Sequence, residues 1–161
     1  MKLLIIQTGG TIDKDYPKTN NGYAFEIDEP AVARTLERVL PGFEYEIIPL
    51  LRKDSLEITT EDRELIKKTI ASSDASKVLI THGSDTMPET GQYLGTISGK
   101  AIVLTGSYRP ERFNGSDADF NIGTAIGALN MIEEGTYIAM NGLITRPEGL
   151  GKDPKTGKFH S

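Results

Sequence analysis

The sequence contains no cysteine, which excludes disulfide bonds, thiol nucleophiles and metal sites built from thiolates. It contains only two histidines, His82 and His160, too few to indicate a metal centre built from imidazole ligands. We therefore expect neither a metal site nor another cofactor.

Long apolar runs are also missing, and no segment approaches the ~20 residues that a membrane-spanning helix needs. The apolar run Leu3–Ile6 lacks the flanks of a signal peptide. A formal net charge of −5 without a basic stripe argues against a general nucleic-acid binder. The 161 residues suffice for one domain with a substantial core. These features predict a cytoplasmic enzyme or binding domain that contacts neither membrane nor nucleic acid.

Short runs rich in isoleucine, valine and leucine alternate with helical patterns along the chain. The predicted strands are Lys2–Thr8, Glu44–Leu50, Lys77–Thr81, Lys100–Thr105 and Thr136–Met140. The predicted helices begin at Asp28-Glu29-Pro30, at Thr59 or Thr60, after Thr86, and at Asp119, the last ending near Glu133. This alternation predicts an α/β fold with a doubly wound, largely parallel sheet and helices on both faces. The polar segment 149–161 is predicted to be a mobile flap or a frayed end.

Two loops that follow predicted strands carry hydroxyl groups. The first strand ends in Thr8-Gly9-Gly10-Thr11-Ile12, where adjacent glycines allow a ligand close to the backbone. No helix follows directly, so the loop does not match a dinucleotide fingerprint. A hydroxyl nucleophile needs a base and donors for the oxyanion. Thr11 could be that nucleophile, and backbone amides around Gly10 and Ser84 could be the oxyanion donors if the two loops converge. The structural alternative is that this segment is simply a tight turn at the end of the strand.

The second loop is Thr81-His82-Gly83-Ser84-Asp85-Thr86-Met87. Thr86 and Glu89 fit a capping box, so this loop could simply begin a helix. His82 is interpreted as a hydrogen-bonded turn residue more readily than as a catalyst. Ser84 is not needed for the cap, and it lies where a helix N-terminus favours developing negative charge.

Together these loops resemble the bacterial-type L-asparaginase family of amidohydrolases. The resemblance rests on TGGTI (residues 8–12) and THGSDTM (residues 81–87), with support from GSYRP (residues 106–110) and Phe120-Asn121. It covers essentially the whole chain and corresponds to the family's N-terminal domain. It implies hydrolysis of L-asparagine to L-aspartate and ammonia through a threonine acyl-enzyme.

The resemblance also implies roles for individual residues. Thr11 is the expected nucleophile, assisted by Tyr23 on the loop that follows. Ser84 supplies the second hydroxyl, Asp85 binds the substrate's α-amino group, and Lys152 completes the second catalytic group. Ser55 and the Gly10 loop are expected to hold the substrate.

The chain departs from the family pattern at three places. Serine replaces the usual threonine at Ser84, and Leu56 stands where a glutamine is often found. The second domain of most members is missing, so the chain resembles the short single-domain asparaginases or is a fragment of a longer protein. Two other functions stay open: a non-catalytic domain that binds an amino acid or a partner, and an amidase for glutamine or another amide. Because a neighbour's second domain helps to close the site in longer relatives, we expect this domain to form a homodimer or a dimer of dimers.

Overall fold

The computed structural model describes residues 1–18 and 25–161. Its elements, in chain order, are β1 (Lys2–Gly9), β2 (Lys14–Asp15), β3 (Glu26–Ile27), α1 (Ala31–Val39), β4 (Glu44–Lys53), α2 (Thr60–Ser72), β5 (Lys77–Thr81), α3 (Met87–Leu94), β6 (Ala101–Thr105), α4 (Ala118–Met131), β7 (Gly135–Met140), β8 (Leu143–Thr145), β9 (Gly151–Lys152) and β10 (Phe159–His160). None of the helices in the described ranges has the length and apolar character to cross a bilayer.

The main sheet has the strand order β4-β1-β5-β6-β7-β8. The first five strands are parallel, and β8 pairs antiparallel with β7. The predicted doubly wound, largely parallel sheet is therefore confirmed. Strand β8 was not predicted, because three residues after a tight turn carry too little pattern to distinguish them from a loop.

Both faces of the sheet are covered, which explains why its central strands contain unbroken apolar runs. Leu3 and Ile5 of β1 pack in one core with residues of α1 and α4. Leu4 and Ile6 pack in the opposite core with residues of α2 and α3. Alternate residues of a strand point to opposite faces, which explains how one unbroken apolar run serves two cores.

The four helices begin within one residue or so of the predicted starts, but of the three predicted helix caps one agrees with the structure and two differ. Thr59 and Asp62 form the predicted capping box at the start of α2. The predicted carboxylate cap ahead of Pro30 is wrong, since the first amide of α1, that of Ala31, donates instead to the distant Asp13 at 2.8 Å.

The predicted capping box at α3 is also wrong. Thr86 is the N-cap residue but makes no side-chain cap. Its hydroxyl donates to the Ser55 carbonyl at 2.6 Å. A tertiary hydrogen bond has replaced a local one, and it ties the start of α3 to the end of β4.

The carboxyl ends of β4, β1 and β5 come close enough together to require glycine. Gly10 has φ +83, and a Cβ there would lie 2.4 Å from the Gly83 amide nitrogen. A Cβ on Gly83 would lie 2.6 Å from both side-chain atoms of Ser55. The loops that follow these three adjacent strands are therefore in direct contact. The loops after β1 and β5 touch through backbone atoms alone, at Gly10 and Gly83.

This contact predicts the effect of Gly10→Ala. The added methyl group would meet the backbone at Gly83 in a conformation that L-residues avoid, so we expect a loss of roughly 2–5 kcal/mol in the free energy of unfolding. Gly42→Ala is the control, since a Cβ at Gly42 has no atom within 4 Å and should change stability by less than about 0.5 kcal/mol. Urea denaturation measures both, and equal losses would contradict the packing described here.

Candidate active site

Thr11 begins a short 3-10 turn that extends to Asp13, directly after the two glycines. The turn is closed by the Asp13 amide, which donates to the Gly10 carbonyl at 3.3 Å. The Thr11 residue is half-buried, which leaves part of it accessible at the carboxyl edge of the sheet. Its position is thus compatible with a reacting hydroxyl group.

The Gly10 amide itself is already engaged, because it donates to the Lys53 carbonyl at 3.0 Å. This amide therefore cannot also be a free donor for an oxyanion. The contribution of Gly10 is steric: it lets the Thr11 turn approach the loop after β5. The other residue expected on this side, Tyr23, lies outside the described residues.

The loop after β5 places Ser84 and Asp85 immediately before α3. Ser84 is half-buried, whereas the Asp85 side chain is 55% exposed. No backbone amide of α3 is capped by Asp85, and its exposed carboxylate is accessible to solvent. A helix N-terminus beside this loop favours negative charge that develops there.

His82 is a structural residue in the same loop. It is fully buried, with Nδ1 donating to the Gly83 carbonyl at 2.8 Å and Nε2 2.9 Å from the Thr90 hydroxyl. Burial lowers the pKa of His82 to about 4, although its bond to Gly83 opposes the change. The imidazole is therefore neutral at neutral pH and braces the loop on α3, as the hydrogen-bonded interpretation predicts.

Ser55 joins the first two loops from the side of β4. It is buried in a 3-10 turn over residues 55–57 that Asp54 and Glu57 cap. Its side chain packs against Gly83, and its carbonyl accepts from Thr86. The next residue, Leu56, is 73% exposed, so an apolar side chain lies at the rim in the position where many family members have a glutamine.

Lys152 reaches this edge from a distant part of the chain. Strands β9 and β10 form an antiparallel hairpin, so the predicted flap or frayed end contains ordered structure. The ring of Phe159 stacks on Tyr108 with 5.6 Å between ring centroids. The Tyr108 hydroxyl also donates to the Gly157 carbonyl. These contacts place Lys152 Nζ 3.5 Å from Asp85 Oδ1 and 5.4 Å from the Tyr108 ring centroid.

The GSYRP segment is held in place by a polar network. Asp117 accepts from the amides of Tyr108 and Arg109 at 3.0–3.1 Å. Asn121 donates to the Gly106 carbonyl at 2.9 Å and accepts from the Asn141 amide, also at 2.9 Å. The network fixes Tyr108, which in turn supports the hairpin that carries Lys152.

Asp13 and Thr81 were missed by the sequence reasoning. Asp13 has no exposed surface, and its carboxylate accepts from the Ala31 amide and from the Thr81 hydroxyl. Burial raises the pKa of Asp13 to about 7, an effect opposed by these bonds, by Gln7 and by the charge of Arg34. A charged residue directly after the buried Ile12 was the available signal, but its partners are too distant in sequence to be inferred from a pattern.

The structure thus brings together Gly10, Thr11, Ser55, Ser84, Asp85 and Lys152 around the ends of β4, β1 and β5. Among the residues that the structure describes, no group of three or more His, Asp or Glu side chains is arranged to hold a metal ion. The arrangement offers two hydroxyl groups, a carboxylate and an ammonium group next to a helix N-terminus, a set of groups that nucleophilic acyl transfer can use.

The chain resembles known L-asparaginases in sequence and in fold. An L-asparaginase of Thermococcus kodakarensis is 34% identical over 146 residues, covering 86% of this chain and 44% of that protein. The solved structure of the thermostable L-asparaginase from the same organism superposes with a TM-score of 0.82 at 32% identity, covering all of this chain and 51% of the other. The structure of a probable cytoplasmic L-asparaginase from Campylobacter jejuni superposes with a TM-score of 0.77 at 28% identity, covering 98% of this chain and 52% of the other.

The chain spans about half the length of these relatives. The family model described as Asparaginase, N-terminal, matches residues 2–156. The chain therefore belongs to the asparaginase family, within which it corresponds to the N-terminal domain.

Proposed function

We propose that this domain is an amidohydrolase that converts L-asparagine to L-aspartate and ammonia. The observation that carries the proposal is the direct contact between the Thr11 and Ser84 loops across Gly10 and Gly83. Two hydroxyl groups from different strands, held beside a helix N-terminus, favour nucleophilic acyl transfer over simple ligand binding. Family membership supports the same reaction class.

The proposed reaction has two steps. The Thr11 oxygen attacks the side-chain amide carbon, its proton passes to the departing nitrogen, and ammonia leaves an acyl-enzyme ester. Water, activated at Ser84 with the help of Lys152, then attacks the ester, releases the acid and restores the Thr11 hydroxyl. The developing oxyanion is assigned to backbone amides at the start of the Thr11 turn and in the loop before α3, since the Gly10 and Asp13 amides are engaged.

Recognition of the substrate's amino-acid end is assigned to Ser55 and Asp85. The Asp85 carboxylate suits an α-ammonium group, and its present partner is the Lys152 ammonium group at 3.5 Å. The exposed Leu56 adds no polar contact there, so weak discrimination between asparagine and another amide, such as glutamine, is the second candidate. We assign the protein to the cytoplasm, in keeping with the name of the Campylobacter relative.

Ammonia release from asparagine tests the nucleophile. Thr11→Ala should abolish turnover and leave the free energy of unfolding within about 1 kcal/mol of the wild type, because a half-buried loop hydroxyl contributes little to folding. Thr11→Ser, which keeps the hydroxyl, should retain measurable turnover. An alanine variant with near-normal turnover would refute the threonine mechanism.

A double-variant experiment tests Ser84 and Lys152 as one proton-handling group. Each of Ser84→Ala and Lys152→Met should lower kcat by at least about 10²-fold. The double variant should be little worse than either, since residues that act together do not lose activity additively. Lys155→Met is the matched control and should behave like the wild type, because Lys155 lies on the same hairpin but is not the lysine that pairs with Asp85. If the two losses of kcat multiply in the double variant, the residues act independently, and Lys152 would have a purely structural role.

We further propose that this chain, on its own, assembles as a homodimer or a dimer of dimers. The Asp85 and Lys152 side chains are 55% and 37% exposed, and acyl transfer is favoured when water is excluded from such charges. A second copy near the opening would close the site. Light scattering at micromolar concentration should give two or four times the monomer mass; a fully active monomer would contradict the proposal.

A further inference from the structure

Asp13 is the described carboxylate most closely tied to the Thr11 turn, and nothing in the proposed reaction uses it. It is the last residue of that turn and has no exposed surface. Its Oδ1 accepts from the Ala31 amide at 2.8 Å, and its Oδ2 accepts from the Thr81 hydroxyl at 3.1 Å. A single buried carboxylate therefore joins the turn to the start of α1 and to the end of β5.

Thr81 also contacts the residue that precedes the two glycines of the loop after β1. The Thr8 hydroxyl donates to the Thr81 carbonyl at 2.8 Å, so Thr8 before the glycines and Asp13 after them both bond to one residue. Thr81 leads directly into the loop that carries Ser84. These two bonds bracket residues 9–12 and set their position relative to the second hydroxyl loop.

We propose that Asp13 is a positioning residue, whose ionised carboxylate holds the Thr11 turn in register with the Ser84 loop by accepting the Thr81 hydroxyl. The proposal rests on the function proposed above in so far as Thr11 is the nucleophile. A cap for α1 alone would need only the bond to Ala31. The bond to Thr81 is the feature that links the carboxylate to the active-site loops.

The burial of Asp13 makes this role dependent on pH. Burial raises the pKa of Asp13 to about 7, so its ionised fraction grows as pH rises through neutrality. Arg34 of α1, which is paired with Glu111, is the cation that opposes the shift. His82, the titratable group that follows β5, has its pKa lowered to about 4 by burial and stays neutral above pH 5. When Asp13 is protonated, one of its oxygen atoms carries the proton and accepts less well from the donors around it (the Ala31 amide, the Thr81 hydroxyl and Gln7), which loosens the register.

Backbone amide NMR from pH 5 to 9 tests the proposal without relying on activity. Amide signals of residues 10–12 and of residues 82–84 should shift with one shared midpoint near 7. Asp13→Asn, which keeps an acceptor for Ala31 but has no charge, should abolish these shifts. Asp15→Asn is the matched control: Asp15 is also buried but pairs with Arg112, so the shifts should persist.

Thr81→Val supplies a second variant that removes only the hydroxyl donor. It should uncouple the two sets of signals, so that residues 82–84 no longer follow the titration of Asp13. Amides that do not shift in the wild type, or that shift equally in Asp13→Asn, would overturn the proposal. So would continued co-titration of both sets in Thr81→Val.

Kinetics supply the second measurement. Asp13→Asn should lower kcat by about 10²-fold, the cost of a misplaced reacting group, with less than about a threefold change in KM because Ser55 and Asp85 keep their contacts. The wild-type rise of kcat through pH 7 should be absent in this variant. If the wild type releases no ammonia, the proposed function fails, and the NMR titration alone decides the role of Asp13. An unchanged kcat and pH profile in Asp13→Asn would overturn the positioning role.

Discussion

The close approach of Gly10 to Gly83 is the constraint on which the candidate site depends. Strands β1 and β5 are adjacent and parallel, so the loops after them leave the sheet at the same edge. With a Cβ at either glycine, backbone or Ser55 would lie within 2.6 Å. The two hydroxyl loops can therefore share one site only because both contacts are made by glycine, and the function of each loop follows from the presence of the other.

Much of this arrangement could be predicted from local sequence. The strand Lys77–Thr81 was predicted with the bounds that the structure has, because a buried parallel strand is an unbroken apolar run. Once the sheet is parallel, the edge at which polar loops gather follows from topology. The same reasoning anticipates that Thr11 and Ser84 lie at one edge, though it does not give their roles.

Interactions between distant residues could not be predicted in this way. Helix α1 is capped by Asp13, 18 residues before it, rather than by a carboxylate next to Pro30. Thr86 and Glu89 have capping-box spacing, yet the Thr86 hydroxyl bonds to Ser55. In both cases a tertiary partner competes successfully with the local one, and sequence spacing contains no information on that competition. The position of Lys152 depends likewise on a stack between Tyr108 and Phe159, 51 residues apart in the chain.

This domain therefore supports the chemistry of the proposed reaction better than it supports recognition of the substrate. The two hydroxyl groups assigned to chemistry are fixed by buried contacts: Thr11 by its turn and Ser84 by the packing of His82 and Gly83. At the amino-acid end Ser55 is buried, whereas Leu56 at the rim and Asp85, which pairs with a lysine on a short hairpin, are exposed. A buried hydroxyl loop imposes reaction geometry, whereas an exposed carboxylate binds weakly until water is excluded from it. Substrate selectivity should accordingly depend on the part of the protein or partner that covers this edge. The chemistry should depend on the sheet that holds the two hydroxyl loops.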